Sequence, residues 1–138
     1  MTTDDNYLDL TKVSTSEVPA QRKAPAGAYL LRIQSYQQGK SDSGSEYYEV
    51  SFRIMDPLDG QDLKDTRRFV NQRFFFNKYG ARDLNSLLYS VNPDWRGSDE
   101  KFPDMLEQIV GSNIIGTLSY TPKGDKEYAN VKGFKAAA

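Results

Sequence analysis

Histidine and cysteine are both absent from the 138-residue chain. That removes thiolate nucleophiles and ligands, imidazole ligands, the Ser-His and Cys-His nucleophile systems and the commonest general base. Carboxylate chemistry stays open, yet no acidic pair stands out. Asp56, Asp59, Asp62 and Asp65 are the densest acidic group. Their spacing misses the calcium-loop pattern and includes Pro57, so they read as a solvated turn. "GKS" at 39 to 41 has the ending of a phosphate-binding loop. It lacks the earlier glycine and the helix that must follow, so it reads as loop. No catalysis and no cofactor or metal is expected.

The other distinctive stretch is "RRFVNQRFFFNKYGAR", residues 67 to 82. Arg67, Arg68, Arg73, Lys78 and Arg82 lie there with no carboxylate, interleaved with Phe69, Phe74, Phe75 and Phe76. The formal net charge of the chain is only -1, so the remainder is acidic and the stripe is a local asymmetry that bulk charge conceals. A strand buries every second side chain, so three adjacent phenylalanines cannot all face one core. Phe69, Asn71, Arg73 and Phe75 share one parity; Arg68, Val70, Gln72, Phe74 and Phe76 share the other. Neither is purely apolar, which fits a long bent strand whose inward face changes at a bulge. At least one ring should then point outward beside arginine. Which it is, Phe75 or the pair Phe74 and Phe76, stays open.

The elements that must position this stripe follow from the pattern on either side. Residues 1 to 25 are polar and aperiodic and read as a flexible arm ahead of one domain spanning 26 to 135. The first strand is expected at 28 to 36, followed by a polar loop at 37 to 45. Residues 46 to 56 alternate, with Tyr48, Val50, Phe52 and Ile54 on one face and Tyr47, Glu49, Ser51 and Arg53 on the other. A turn at 56 to 62 leads into a third strand at about 64 to 77. Leu84, Leu87, Leu88 and Val91 predict a short amphipathic helix over 81 to 91, and 105 to 110 could add a turn or two. Strands at 112 to 122 and 127 to 134 flank a tight turn at 123 to 126. Trp95 is expected to pack, capping the sheet or the helix.

Three strands, a helix and two strands are the order of an OB-fold: an all-β, five-stranded barrel with one short helix between strands 3 and 4. In that scheme the basic, aromatic stretch is strand three. The loops at 37 to 45 and 123 to 126 would frame a site on strands two and three. Exposed rings among cations suit single-stranded nucleic acid, whose bases stack while arginine and lysine neutralise phosphates. The candidate binding residues are Arg32, Tyr36, Lys40, Tyr47, Arg53, Arg67, Arg68, Phe69, Arg73, Phe75, Lys78 and Lys123.

"PAGAYLLRIQSYQQGKSDSGSEYYEVSFRIMD", then "DGQDL", "IVGSNIIGTLSYT" and "EYANVKGF", resemble phage-encoded OB-fold single-stranded DNA-binding proteins over about residues 24 to 134. The resemblance implies non-sequence-specific DNA binding in phage replication or recombination, in the host cytoplasm. Single-stranded DNA is the expected partner, with phage or host replication and recombination proteins and a homo-oligomer as further candidates. The chain ends "VKGFKAAA", without the acidic tail by which many such proteins recruit partners. The first twenty residues show no secretory signal, and no apolar run is long enough for a bilayer, so no membrane partner is expected. The alternative is a phage structural or interaction module that grips a protein with the same barrel.

Overall fold

The structure, a computed structural model, describes residues 21–96 and 101–137. Most of the expected arm lies outside the described residues. Five strands make one antiparallel sheet: β1 Gly27–Lys40, β2 Glu46–Pro57, β3 Phe69–Phe75, β4 Asn113–Lys123 and β5 Lys126–Ala136. Between β3 and β4 come two helices, α1 Lys78–Val91 and α2 Phe102–Ile109. The spatial order is β3-β2-β1-β4-β5. No backbone ladder joins β3 to β5, so the sheet curls without closing.

Alternation sets the inner face. Val50, Phe52 and Ile54 of β2 pack with Tyr29, Leu31 and Ile33 of β1, and with Ile114, Leu118 and Val131 of the last two strands. The helices cover this face. Leu84, Leu87 and Leu88 form the buried stripe of α1, and Phe102, Met105, Leu106 and Ile109 that of α2. Asn77 starts α1 by accepting the amides of Tyr79 and Gly80 on Oδ1, at 3.0 and 2.8 Å. A Cβ at Gly80 would stand 1.9 Å from the carbonyl oxygen of Phe75, so only glycine lets the helix start against the end of β3. Among the described residues no helix is long and apolar enough to cross a membrane.

Several expectations change. There are two helices between β3 and β4, not one. The second starts three residues before the periodic stretch because Pro103 sits in its first turn, where a missing N–H costs nothing. β1 runs on to Lys40, which shortens the expected nine-residue loop to 41 to 45. β3 pairs with β2 without a register shift from Phe69 to Phe75, so the expected bulge is absent there. Its mixed parity has another cause: Gln72 is an inward polar residue, buried and hydrogen-bonded, while Arg67 and Arg68 precede the strand. The last residues of the expected arm are docked. Arg22 bridges Thr66 in parallel and Ala24 is buried. Trp95 packs, its Nε1 donating to Asn85 Oδ1 at 2.7 Å and its ring 6.0 Å from that of Phe102.

Candidate functional site

The outer face of β2 and β3 is built in rungs. Tyr47 lies opposite Phe75, Glu49 opposite Arg73, Ser51 opposite Asn71, and Arg53 opposite Phe69. β1 extends these rungs with Gly39, Gln37, Ser35 and Arg32. Pairing therefore answers the question of the three rings. Phe74 goes inward and is 2% exposed, its ring 6.4 Å from that of Phe134. Phe75 goes outward and is half-buried, edge-on to Tyr47 at 5.4 Å. Phe76 follows the strand and stays 47% exposed, its ring 4.9 Å from Tyr48. Phe69 is the most open ring of the strand, at 53%, with the Arg53 guanidinium 5.9 Å from its centre.

Because β3 and β5 both run in the direction of β1, their edges face each other in parallel across the unladdered gap. Above this gap lies a groove of 770 Å³. Ser41, Ser43 and Ser45 of the β1–β2 loop form one wall, and Lys123, Tyr128 and Asn130 of the β4–β5 hairpin form the other. Asn71, Arg73 and Phe75 supply the floor. Asn71, Tyr128 and Ala129 also line a second trough of 280 Å³ that carries the path on to Arg67, Phe69 and Lys23. Tyr128 is 51% exposed, with Lys123 Nζ 6.0 Å from its ring.

The charges in the groove are partly paired. Arg73 Nε donates to Glu49 Oε1 at 3.0 Å, and its guanidinium lies 4.4 Å from the ring centre of Tyr47. The bond to Glu49 raises the guanidinium's pKa further, against a smaller lowering from burial. Lys23 pairs with Glu127 and sits 4.5 Å over the Tyr120 ring. Arg67 and Arg68 are exposed, with no carboxylate partner among the described residues. Among those residues, too, no group of three His, Cys, Asp or Glu is placed to hold a metal ion.

The sequence-predicted residues thus divide. Arg67, Phe69, Arg73, Phe75 and Lys123 line the groove and its extension. Arg32 and Arg53 share the outer face as register partners; Arg32 Nε also approaches Asn113 Oδ1 at 3.4 Å, away from the groove. Lys40 is exposed where β1 meets the first loop. Arg68 stands just before β3, its carbonyl accepting the Ile54 amide at 2.6 Å. Lys78 begins α1, beyond the end of β3.

Two placements are corrected. Tyr36 is not on the outer face: a register shift between Ile33 and Ser35 turns it inward opposite Val50, and its hydroxyl points to Pro103 O at 3.4 Å. Tyr47 does lie on the outer side but is only 8% exposed, roofed by Arg73, flanked by Phe75 and standing over Gly39. It supports Arg73 and offers no free face. The groove residues not anticipated include Lys23, Asn71, Glu127 and Asn130. Nothing local marks them, because the approach of β5 to β3 brings them together.

Fold and surface define a small antiparallel-sheet protein with an open groove lined by serine, asparagine, aromatic and cationic groups. The chain belongs to a family described as a protein of unknown function (DUF669), whose model matches residues 11–138. No curated protein matches it.

Proposed function

We propose that the protein binds single-stranded DNA without sequence preference, along the groove over β3, and performs no chemistry. The observation that carries this reading is the groove itself, framed by the first and last hairpin loops and floored by Arg73 and Phe75. The strand order is that of a five-stranded OB barrel opened between β3 and β5, and such barrels take oligonucleotides on this side. Four rungs along β3 span roughly 20 Å, at about 6.8 Å per two residues. That suits a short stretch of nucleotides, at the low end of the footprint of one such domain. Open rings at Phe69 and Tyr128 provide sequence-tolerant stacking, and Arg67, Lys123 and Arg73 provide phosphate contacts. Following the resemblance of the sequence, the proposed setting is phage replication or recombination in the host cytoplasm.

Tryptophan and tyrosine fluorescence titrated with oligo-dT at two salt concentrations tests the reading. Quenching that weakens steeply with salt is expected, since phosphate contacts release counterions. No binding near physiological ionic strength, or tight binding indifferent to salt, rejects it. One observation favours a second reading, a protein-gripping module: Glu49 and Glu127 in the groove would suit a partner of mixed charge. A gel-filtration shift with a protein partner and none with DNA would select it.

A further inference from the structure

We propose that the depression where β3 meets α1 is a base pocket, which takes one unstacked nucleobase of the bound strand and places its phosphate against Lys78. This rests on the single-stranded DNA reading and assigns a further part to it. The depression encloses 380 Å³, within the range of small-ligand pockets. Its lining includes Phe75 and the open ring of Phe76, 47% exposed, with the buried aromatic residues Tyr48, Phe74 and Phe102. The polar groups are those of Asn77 and Lys78. Asn77 spends its Oδ1 on capping α1, which leaves its NH2 group as a donor. Lys78 has no carboxylate partner among the described residues; its Nζ lies 5.1 Å from the ring centre of the exposed Tyr79 and would have to turn from it to meet a phosphate.

Aromatic walls with a cation and an amide donor beside them complement a planar heteroaromatic that carries carbonyl acceptors and an attached anion. An aliphatic guest would leave the ring faces and the charge unused. Position supports the same occupant. Phe75 lines both this pocket and the groove, so a strand that follows β3 from Arg67 past Asn71 reaches the pocket as β3 ends. The close seating of α1 on Phe75 at Gly80 fixes one side of the pocket. Phe76, lying beyond the β2–β3 ladder, fixes another.

The test uses the full chain and oligo-dT probes carrying one 2-aminopurine at successive positions. One position is expected to give an emission change unlike its neighbours. Ala81→Leu, which puts a helix-compatible side chain into the pocket, should erase that distinct signal. It should also weaken probes long enough to reach the pocket about tenfold and leave shorter probes unchanged. Lys78→Gln, a change at an exposed side chain, should weaken the long probes alone and leave the melting curve unchanged. Binding with position-independent emission, the same in Ala81→Leu and Lys78→Gln as in the parent, overturns the pocket and leaves the DNA reading standing. Failure of every probe to bind the parent overturns both.

Discussion

The backbone N–H of Val131 donates to Gln72 Oε1 at 2.9 Å, a buried polar bridge across the gap where β3 and β5 share no ladder. Gln72 also donates from Nε2 to the carbonyl of Arg73 at 3.2 Å. One side chain thus stands in for the missing backbone pairing and sets the width of the groove floor. Gln72→Leu keeps the volume but orphans a buried amide. Denaturant unfolding should show a loss of about 1–3 kcal/mol, the cost of an unsatisfied buried donor.

Phe74 and Phe69 separate stability from binding. Phe74→Ala opens a hole beside Phe134 and should cost about 3–5 kcal/mol of stability. Phe69→Ala removes an open ring and should leave the melting curve nearly unchanged. Its effect falls on oligo-dT affinity, which should drop by about 1–3 kcal/mol, the worth of one stacked base. Equal effects of the two substitutions on stability would contradict the facing of β3.

Arg73 is held by Glu49 before any phosphate arrives. Glu49→Gln removes that competitor, and oligo-dT affinity should rise by up to about fivefold, the range of an exposed ion pair. Arg73→Ala should weaken binding to all sequences alike and lower the salt slope by about one. A double variant no weaker than Glu49→Gln would show that Arg73 makes no phosphate contact.

Tyr29 and Tyr120 donate their hydroxyls to Pro25 O and Ala24 O, both at 2.6 Å, and so tie the docked segment to the sheet. Burial is the main cause that raises both pKa values above 10.0, because the phenolate is poorly solvated there. The folded state therefore holds these protons more tightly than the unfolded chain. The resulting stability is complete below pH 10 and is lost as pH climbs through the raised values. Alkaline unfolding followed by circular dichroism should begin in that window. Tyr120→Phe should cost about 1 kcal/mol at neutral pH.

Strand β2 was legible because its apolar residues alternate without interruption, and α1 because its leucines fall at helical spacing. The framing of a groove by the first and last hairpin loops followed from strand order alone. What escaped has a common physical cause, contact between residues far apart in the chain. Tyr36 has the spacing of an outward residue until the bulge at Ile33 and Ser35 reverses β1, and only the pairing with β2 reveals it. Tyr47 alternates outward as expected, but the cover comes from Arg73 and Phe75 on another strand. Gln72 made β3 look irregular because its partner, Val131, lies on β5.

β1 is the shared member of the sheet, paired with β2 next to it in sequence and with β4 five elements later. During synthesis the β1–β2–β3 meander can form as soon as it emerges, while one edge of β1 waits for a partner still inside the ribosome. Closing that long loop carries the entropic delay typical of non-local strand pairing. Until β4 arrives the nascent chain presents the unpaired edge of β1, the one interval in its life when wrong strand pairing is easiest.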